Sequence, residues 1–189
     1  MFEKFSLKQP AGSNACGAYA LAALLSAWQR HRFEHKEAVD NLYRYIGQCQ
    51  SALPTDKYAD FISVNYMSLP SSLIKTGLKN GFNGEITVYY RSGLSAELSA
   101  LIEEEEIRIG EIARVIKSDI TLEELTAQYG FYLLLINNGK HWITLSHHSQ
   151  GLFFYDPAYG SEKASLKGNM LYLKERSIDF SGVAIYFAW

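Results

Sequence analysis

Cys16 stands where polar turn residues, Ser13 and Asn14, hand over to an alanine- and leucine-rich run that opens at Ala15. A thiol in the first turn of a helix meets the positive end of the macrodipole and backbone N–H groups that lack an intrahelical acceptor. Both favour thiolate over thiol. Gly17 beside it has no Cβ, which would let a substrate carbonyl approach those N–H groups. The position suits a nucleophile, with a small buried core cysteine as the competing fate. The other cysteine, Cys49, falls on the apolar stripe of a helix and reads as core.

A nucleophilic cysteine needs a base, and the five histidines differ in setting. His31 and His35 lie in a charged helix-to-helix connection, and His147 and His148 in an apparent turn. His141 alone opens an apolar strand, directly after Asn137-Asn138-Gly139-Lys140. If residues 141–146 and 152–155 form an antiparallel hairpin, the numbers of opposed positions add to about 298. His141 then faces position 157, or Asp156 with the register one lower. Asp156, followed by Pro157, ends its strand where a carboxylate can fix the imidazole tautomer, although an Asp before Pro also suits a plain turn. Ile143 and Leu145 share the face of His141, so its ring is expected at the edge of a buried layer.

These residues need elements to hold them. Strong helix formers dominate 15–32, a stretch apolar on nearly all sides and so expected to be central. Further helices are expected over 36–49, over 57–67, from Pro70-Ser71-Ser72 to a stop at Lys79-Asn80-Gly81, over 95–108, and briefly over 121–128. The acidic run 103–106 reads as a solvated helix face. Strands are expected over 85–91, 131–136, 141–146, 152–155 and 183–189, with the aromatic residues packed as core. Helices first and an antiparallel sheet afterwards describe an α+β domain of two packed layers, and no linker or repeat divides residues 1–189.

Composition narrows the function. The 18 Lys and Arg against 20 Asp and Glu leave a net charge of −2, so no global basic field attracts nucleic acid or anionic lipid. The longest apolar stretch, 18–27, falls short of the roughly twenty residues a membrane-spanning helix needs, and the first eight residues contain no secretory apolar region. A cytoplasmic protein with free thiols is expected, export without a cleaved signal remaining open. A zinc site from His141, His147 and His148 is disfavoured, because adjacent histidines diverge and no usual ligand spacing is present. No metal or cofactor is expected.

The order Cys16-Gly17 opening a long apolar helix, His141-Trp142 on a strand, and Tyr155-Asp156-Pro157 after a hairpin resembles the papain-like cysteine peptidases. It is closest to the compact bacterial branch related to peptidases that trim double-glycine leader peptides. The segment from Leu69-Pro70-Ser71-Ser72 to Asn80-Gly81-Phe82 resembles the helix and turn after which that branch enters its sheet, and the likeness spans roughly residues 7 to 160. It implies a helical lobe with Cys16 at the N-terminus of its central helix, a β lobe with His141 and Asp156, and a cleft between them. Gln9 would match the family's oxyanion-hole glutamine. It stands seven residues before Cys16 rather than the family's usual six, with Pro10 and Gly12 able to absorb the extra residue and Asn14 as the alternative donor. Ala18-Tyr19 replaces the tryptophan that commonly follows the active cysteine. The implied activity is hydrolysis of a peptide or isopeptide bond in a peptide or protein substrate. Acyl transfer or glutamine deamidation by the same three residues is the alternative chemistry, and a non-catalytic binding module the alternative class.

Overall fold

Fourteen helices and strands follow one another in a computed structural model that describes residues 5–29, 32–52 and 68–188. The helix expected over 57–67, His31 and Trp189 lie outside the described residues. Helix α1 (Cys16–Gln29) is buried continuously from Cys16 to Ser26, as its apolar circumference requires. Helix α2 (Lys36–Ser51) buries one stripe, Val39, Leu42, Ile46 and Gln50, and leaves Cys49 partly exposed at its margin. Helix α3 (Pro70–Lys79) opens with Pro70, whose missing N–H costs nothing in a first turn.

After α3 the chain enters the sheet at β1 (Ile86–Tyr90), crosses through α4 (Ala96–Gly110) and returns parallel to β1 as β2 (Arg114–Lys117). A short α5 (Leu122–Leu125), closed by a Thr121–Glu124 capping box, leads into β3 (Gly130–Ile136), β4 (His141–His148), β5 (Gly151–Asp156) and β6 (Gly160–Lys163). The hairpin β7 (Ser165–Lys167) and β8 (Met170–Tyr172) precedes the long β9 (Ser177–Ala188). The sheet runs β2-β1-β9-β3-β4-β5-β6 and is antiparallel apart from β1–β2. N-terminal helices packed on a mostly antiparallel C-terminal sheet make this an α+β fold.

The sheet has two buried faces rather than the single covered face expected. Leu133, Leu135, Val183, Ile185 and Phe187 pack with Leu21, Leu24 and Leu73 under the helices. Tyr132, Leu134, Ile143, Leu145 and Phe154 form a second cluster with Leu122, Leu171 and Ile178, closed by α5 and the β7–β8 hairpin. Strand β3 lies between the two clusters and is buried at every position, which explains its uninterrupted apolar sequence. Polar bonds then register the helices on the sheet. The Thr144 hydroxyl donates to the Ala20 carbonyl at 2.6 Å and the Trp142 indole N–H to the Ser68 carbonyl at 2.8 Å, both in fully dry surroundings.

The acidic run on α4 is not wholly a solvated face. Glu105 is 0% exposed, and its carboxylate accepts the Ser71 backbone N–H at 2.8 Å in the first turn of α3. A helix N-terminus offers unpaired donors and a favourable dipole, which is a setting in which a buried carboxylate is tolerated.

Candidate active site

The chain before α1 is shaped to leave Cys16 at a helix end. Ser13 N–H bonds the Pro10 carbonyl at 3.0 Å across a turn that holds Gly12 at φ +74°, a conformation that favours glycine. The Ser13 hydroxyl oxygen accepts the Ala15 N–H at 3.2 Å, and the Ala15 carbonyl accepts the first helical bond, from Tyr19 N–H at 3.1 Å. Cys16 is therefore the first residue inside the helix, and helix geometry gives the N–H groups of Cys16, Gly17 and Ala18 no intrahelical acceptor. Only 6% of Cys16 is exposed.

Gly17 has a packing reason besides the substrate approach its neighbour suggested. A Cβ there would lie 2.3 Å from the Ser68 Oγ and 2.4 Å from the Ser68 Cβ, so close packing by itself calls for glycine here. Ser68 is buried between this contact and the Trp142 indole, which connects α1 to β4 beside the site.

His141 is delivered by the β3–β4 turn. Asn137, Asn138 and Gly139 all take positive φ (54°, 54° and 85°), the left-handed pair that asparagine tolerates and glycine prefers. The next hairpin is tighter than the sequence suggested. His147 and His148 belong to β4, and the turn is only Ser149-Gln150. Opposed numbers therefore add to 299, as in Thr144 opposite Tyr155, and Asp156 lies diagonal to His141 on the same face instead of directly opposite. The diagonal brings them together: His141 Nε2 is 2.9 Å from Asp156 Oδ1. With Nε2–H donated to the carboxylate, Nδ1 is the ring nitrogen left to face the Cys16 thiol, whose influence helps to raise the imidazole.

Asp156 also serves the turn, its Oδ1 accepting the Ala158 N–H at 2.8 Å, so the two roles weighed for it coexist in one carboxylate. It is 2% exposed. Burial opposes its charge, but the bonds from His141 and Ala158 and the cations around it hold its pKa below the ordinary carboxylate value. Burial likewise opposes a charged His141; hydrogen bonds to Asp156 and Cys16 outweigh it and push the imidazole up to about 9. Its side chain is 16% exposed, at the rim of the buried layer as expected.

Gln9 is drawn to the same end of the sheet. Its backbone N–H bonds the carbonyl of Pro157, next to Asp156, at 2.9 Å, and the Tyr155 hydroxyl bonds the Leu7 carbonyl at 2.9 Å. Asn14, the alternative oxyanion donor, is exposed in the turn before α1. One residue of the cluster carries no local sequence signal: Arg176, just before β9, places Nη2 3.0 Å from Asp156 Oδ2.

The other histidines are occupied elsewhere. His147 Nδ1 bonds the Thr126 carbonyl at 2.6 Å, and His148 stacks on Phe153 with ring centroids 4.9 Å apart. Among the described residues no three His, Cys, Asp or Glu side chains are grouped to hold a metal ion, and no helix is long and apolar enough to cross a membrane. A cavity of about 250 Å³ lies between β1, α4 and β2, lined by Tyr90, Arg91, Glu103, Glu106 and Lys117, and shares no residue with the cluster at Cys16. No family model matches this chain, and neither a curated protein nor a solved structure matches it.

Proposed function

We propose that this chain is a papain-like cysteine hydrolase that cleaves a peptide or isopeptide bond through Cys16, His141 and Asp156. The observation that carries the proposal is a cysteine at the first position of a buried helix, close enough to raise the pKa of an imidazole that a buried carboxylate holds at 2.9 Å. Cys16 Sγ attacks the carbonyl carbon of the substrate while its proton resides on His141 Nδ1. The same proton passes to the departing amine, leaving a thioester on Cys16. His141 then takes a proton from water, the hydroxide opens the thioester, and the proton returns to sulfur as the acid is released. Asp156 keeps Nε2–H in place and stabilises the imidazolium between these steps.

The backbone N–H of Cys16 and the side-chain amide of Gln9 form the oxyanion hole in this scheme. If so, Gln9→Ala raises the barrier by about 3–4 kcal/mol, and an unchanged rate transfers the role to Asn14 or to backbone alone.

The test is incubation of wild type and Cys16→Ala with a peptide pool, read by mass spectrometry. New peptide termini that depend on Cys16 support a peptidase. Cys16-dependent conversion of glutamine to glutamate, or transfer of an acyl group to an added amine, moves the chemistry to deamidation or acyl transfer. No change of either kind removes the hydrolase and leaves a binding module.

A further inference from the structure

Both functional bonds of Asp156 fall on the same oxygen, Oδ1, which accepts from His141 Nε2 at 2.9 Å and from Ala158 N–H at 2.8 Å. Among the described residues the partner of Oδ2 is Arg176 alone, with Nη2 at 3.0 Å. The approach is off the hydrogen-bonding line, so it is a contact of two close charges rather than a directed bond. Without Arg176, a carboxylate buried to 2% exposure would keep partners on one oxygen only and is expected to take up a proton or to rotate and exchange its oxygens, and either event takes the correct acceptor away from His141.

Arg176 is itself held. Its guanidinium lies 3.8 Å from the centroid of the Tyr159 ring, which is 66% exposed and forms a cover on the solvent side, and 5.7 Å from that of Phe154. Glu162 on β6 approaches the same Nη2 at 3.8 Å and accepts the Lys174 N–H at 3.4 Å, fastening to β6 the turn in which Leu173 N–H bonds the Arg176 carbonyl. Arg176 and an imidazolium at His141 balance the charges of Asp156 and Glu162.

We propose that Arg176 is the positioning residue of this site, acting through Asp156 to keep its carboxylate ionised and to fix which oxygen faces His141, with Tyr159 covering the guanidinium. The inference rests on the hydrolase reading for its purpose, but its direct readout is Asp156 itself. The titratable groups around that carboxylate are His141 on β4, Cys16 on α1 through His141, Arg176, Glu162 on β6 and the neighbouring Tyr155.

The experiment follows the carboxyl ¹³C signal of Asp156 against pH in aspartate-labelled full-length protein, the signal being identified by its loss in Asp156→Asn. Arg176→Gln is expected to raise the titration midpoint by about one pH unit, and Arg176→Lys, which retains a point charge, to return it most of the way. Alkylation of Cys16 slows in Arg176→Gln, and adding that change to Asp156→Asn slows it no further, because the effect passes through the carboxylate. An unmoved midpoint in folded Arg176→Gln, or fully additive losses in the double variant, overturns the inference. If Arg176→Gln does not fold, Tyr159→Ala takes its place: the exposed ring is removed without touching the core, and a midpoint that stays put is equally fatal. A raised midpoint in a protein whose Cys16 reacts no faster than Cys49 upholds the hold of Arg176 on Asp156 while removing the hydrolase reading. An activated Cys16 with an unmoved midpoint does the reverse.

Discussion

Strand β4 carries a histidine at each end of one face, and the two rings meet different partners. His141 bonds a buried carboxylate at 2.9 Å and feels the thiol at a helix N-terminus. His147 bonds a neutral backbone carbonyl at 2.6 Å and meets the edge of Tyr129 at 4.9 Å. Residue type and strand parity are shared, so neither separates the proposed base from a structural ring. The difference comes from hairpin position. His147 sits beside the tight Ser149-Gln150 turn within the ladder, whereas His141 lies beyond its last described pair, where the partner strand ends in Asp156 and the helix layer presents Cys16.

The largest expected effect tests that contrast directly. Replacing His141 by alanine lowers Cys16-dependent turnover by about 10²–10⁴-fold, while His147→Ala changes it by no more than about twofold. Equal losses at the two ends break the comparison. Asp156→Asn sharpens it, because the amide gives His141 a neutral acceptor like the one His147 already has. The rate then falls by less than in His141→Ala, since the base is misoriented but present, and a fall as large or larger contradicts the roles assigned.

Gly17→Ala comes next and acts on folding. Its Cβ meets Ser68 at 2.3 Å, and relief of such overpacking costs about 1–3 kcal/mol, measurable as a lower urea midpoint. An unchanged midpoint removes the packing explanation for Gly17 and leaves substrate approach as its reason.

The pH dependence of stability tests the charges of the site. The imidazole of His141 binds its proton more tightly in the folded state, so its pairing stabilises the fold fully below 6.5 and ceases to as pH rises through about 9. Asp156 has the opposite sign: its lowered pKa contributes stability above the ordinary carboxylate value of 3.8 that is lost as pH falls through the folded value. Urea unfolding of wild type against His141→Ala across the alkaline window reads the first contribution. Parallel curves for the two proteins contradict it.

How much of this was legible in the sequence depended on range. Cys16 was singled out by a turn handing over to an alanine-rich helix, His141 by opening an apolar strand after the Asn137-Asn138-Gly139 turn, and Asp156 by the hairpin expected to bring it near His141. The order of helices and core strands was equally local. The register was missed by one because His147 and His148 resemble turn residues but extend β4. Strands β2, β6, β7 and β8 are three or four residues long and half-exposed, too short for an alternating pattern to show. Glu105 looked like its acidic neighbours because the buried N-terminus it caps belongs to a helix distant in sequence. Arg176 reaches Asp156 only after the β7–β8 hairpin has turned the chain back, a tertiary event that no spacing encodes.

The central claim is that Cys16 is an activated thiol paired with His141. Its most direct test is the rate of alkylation by iodoacetamide as a function of pH, with the label located by mass spectrometry and His141→Ala as the control. A small reagent is required, because Cys16 is only 6% exposed. Selective labelling of Cys16, much faster than that of Cys49 at neutral pH and lost in His141→Ala, is the result the account predicts. Labelling of Cys16 no faster than Cys49, or unchanged by removal of His141, contradicts it.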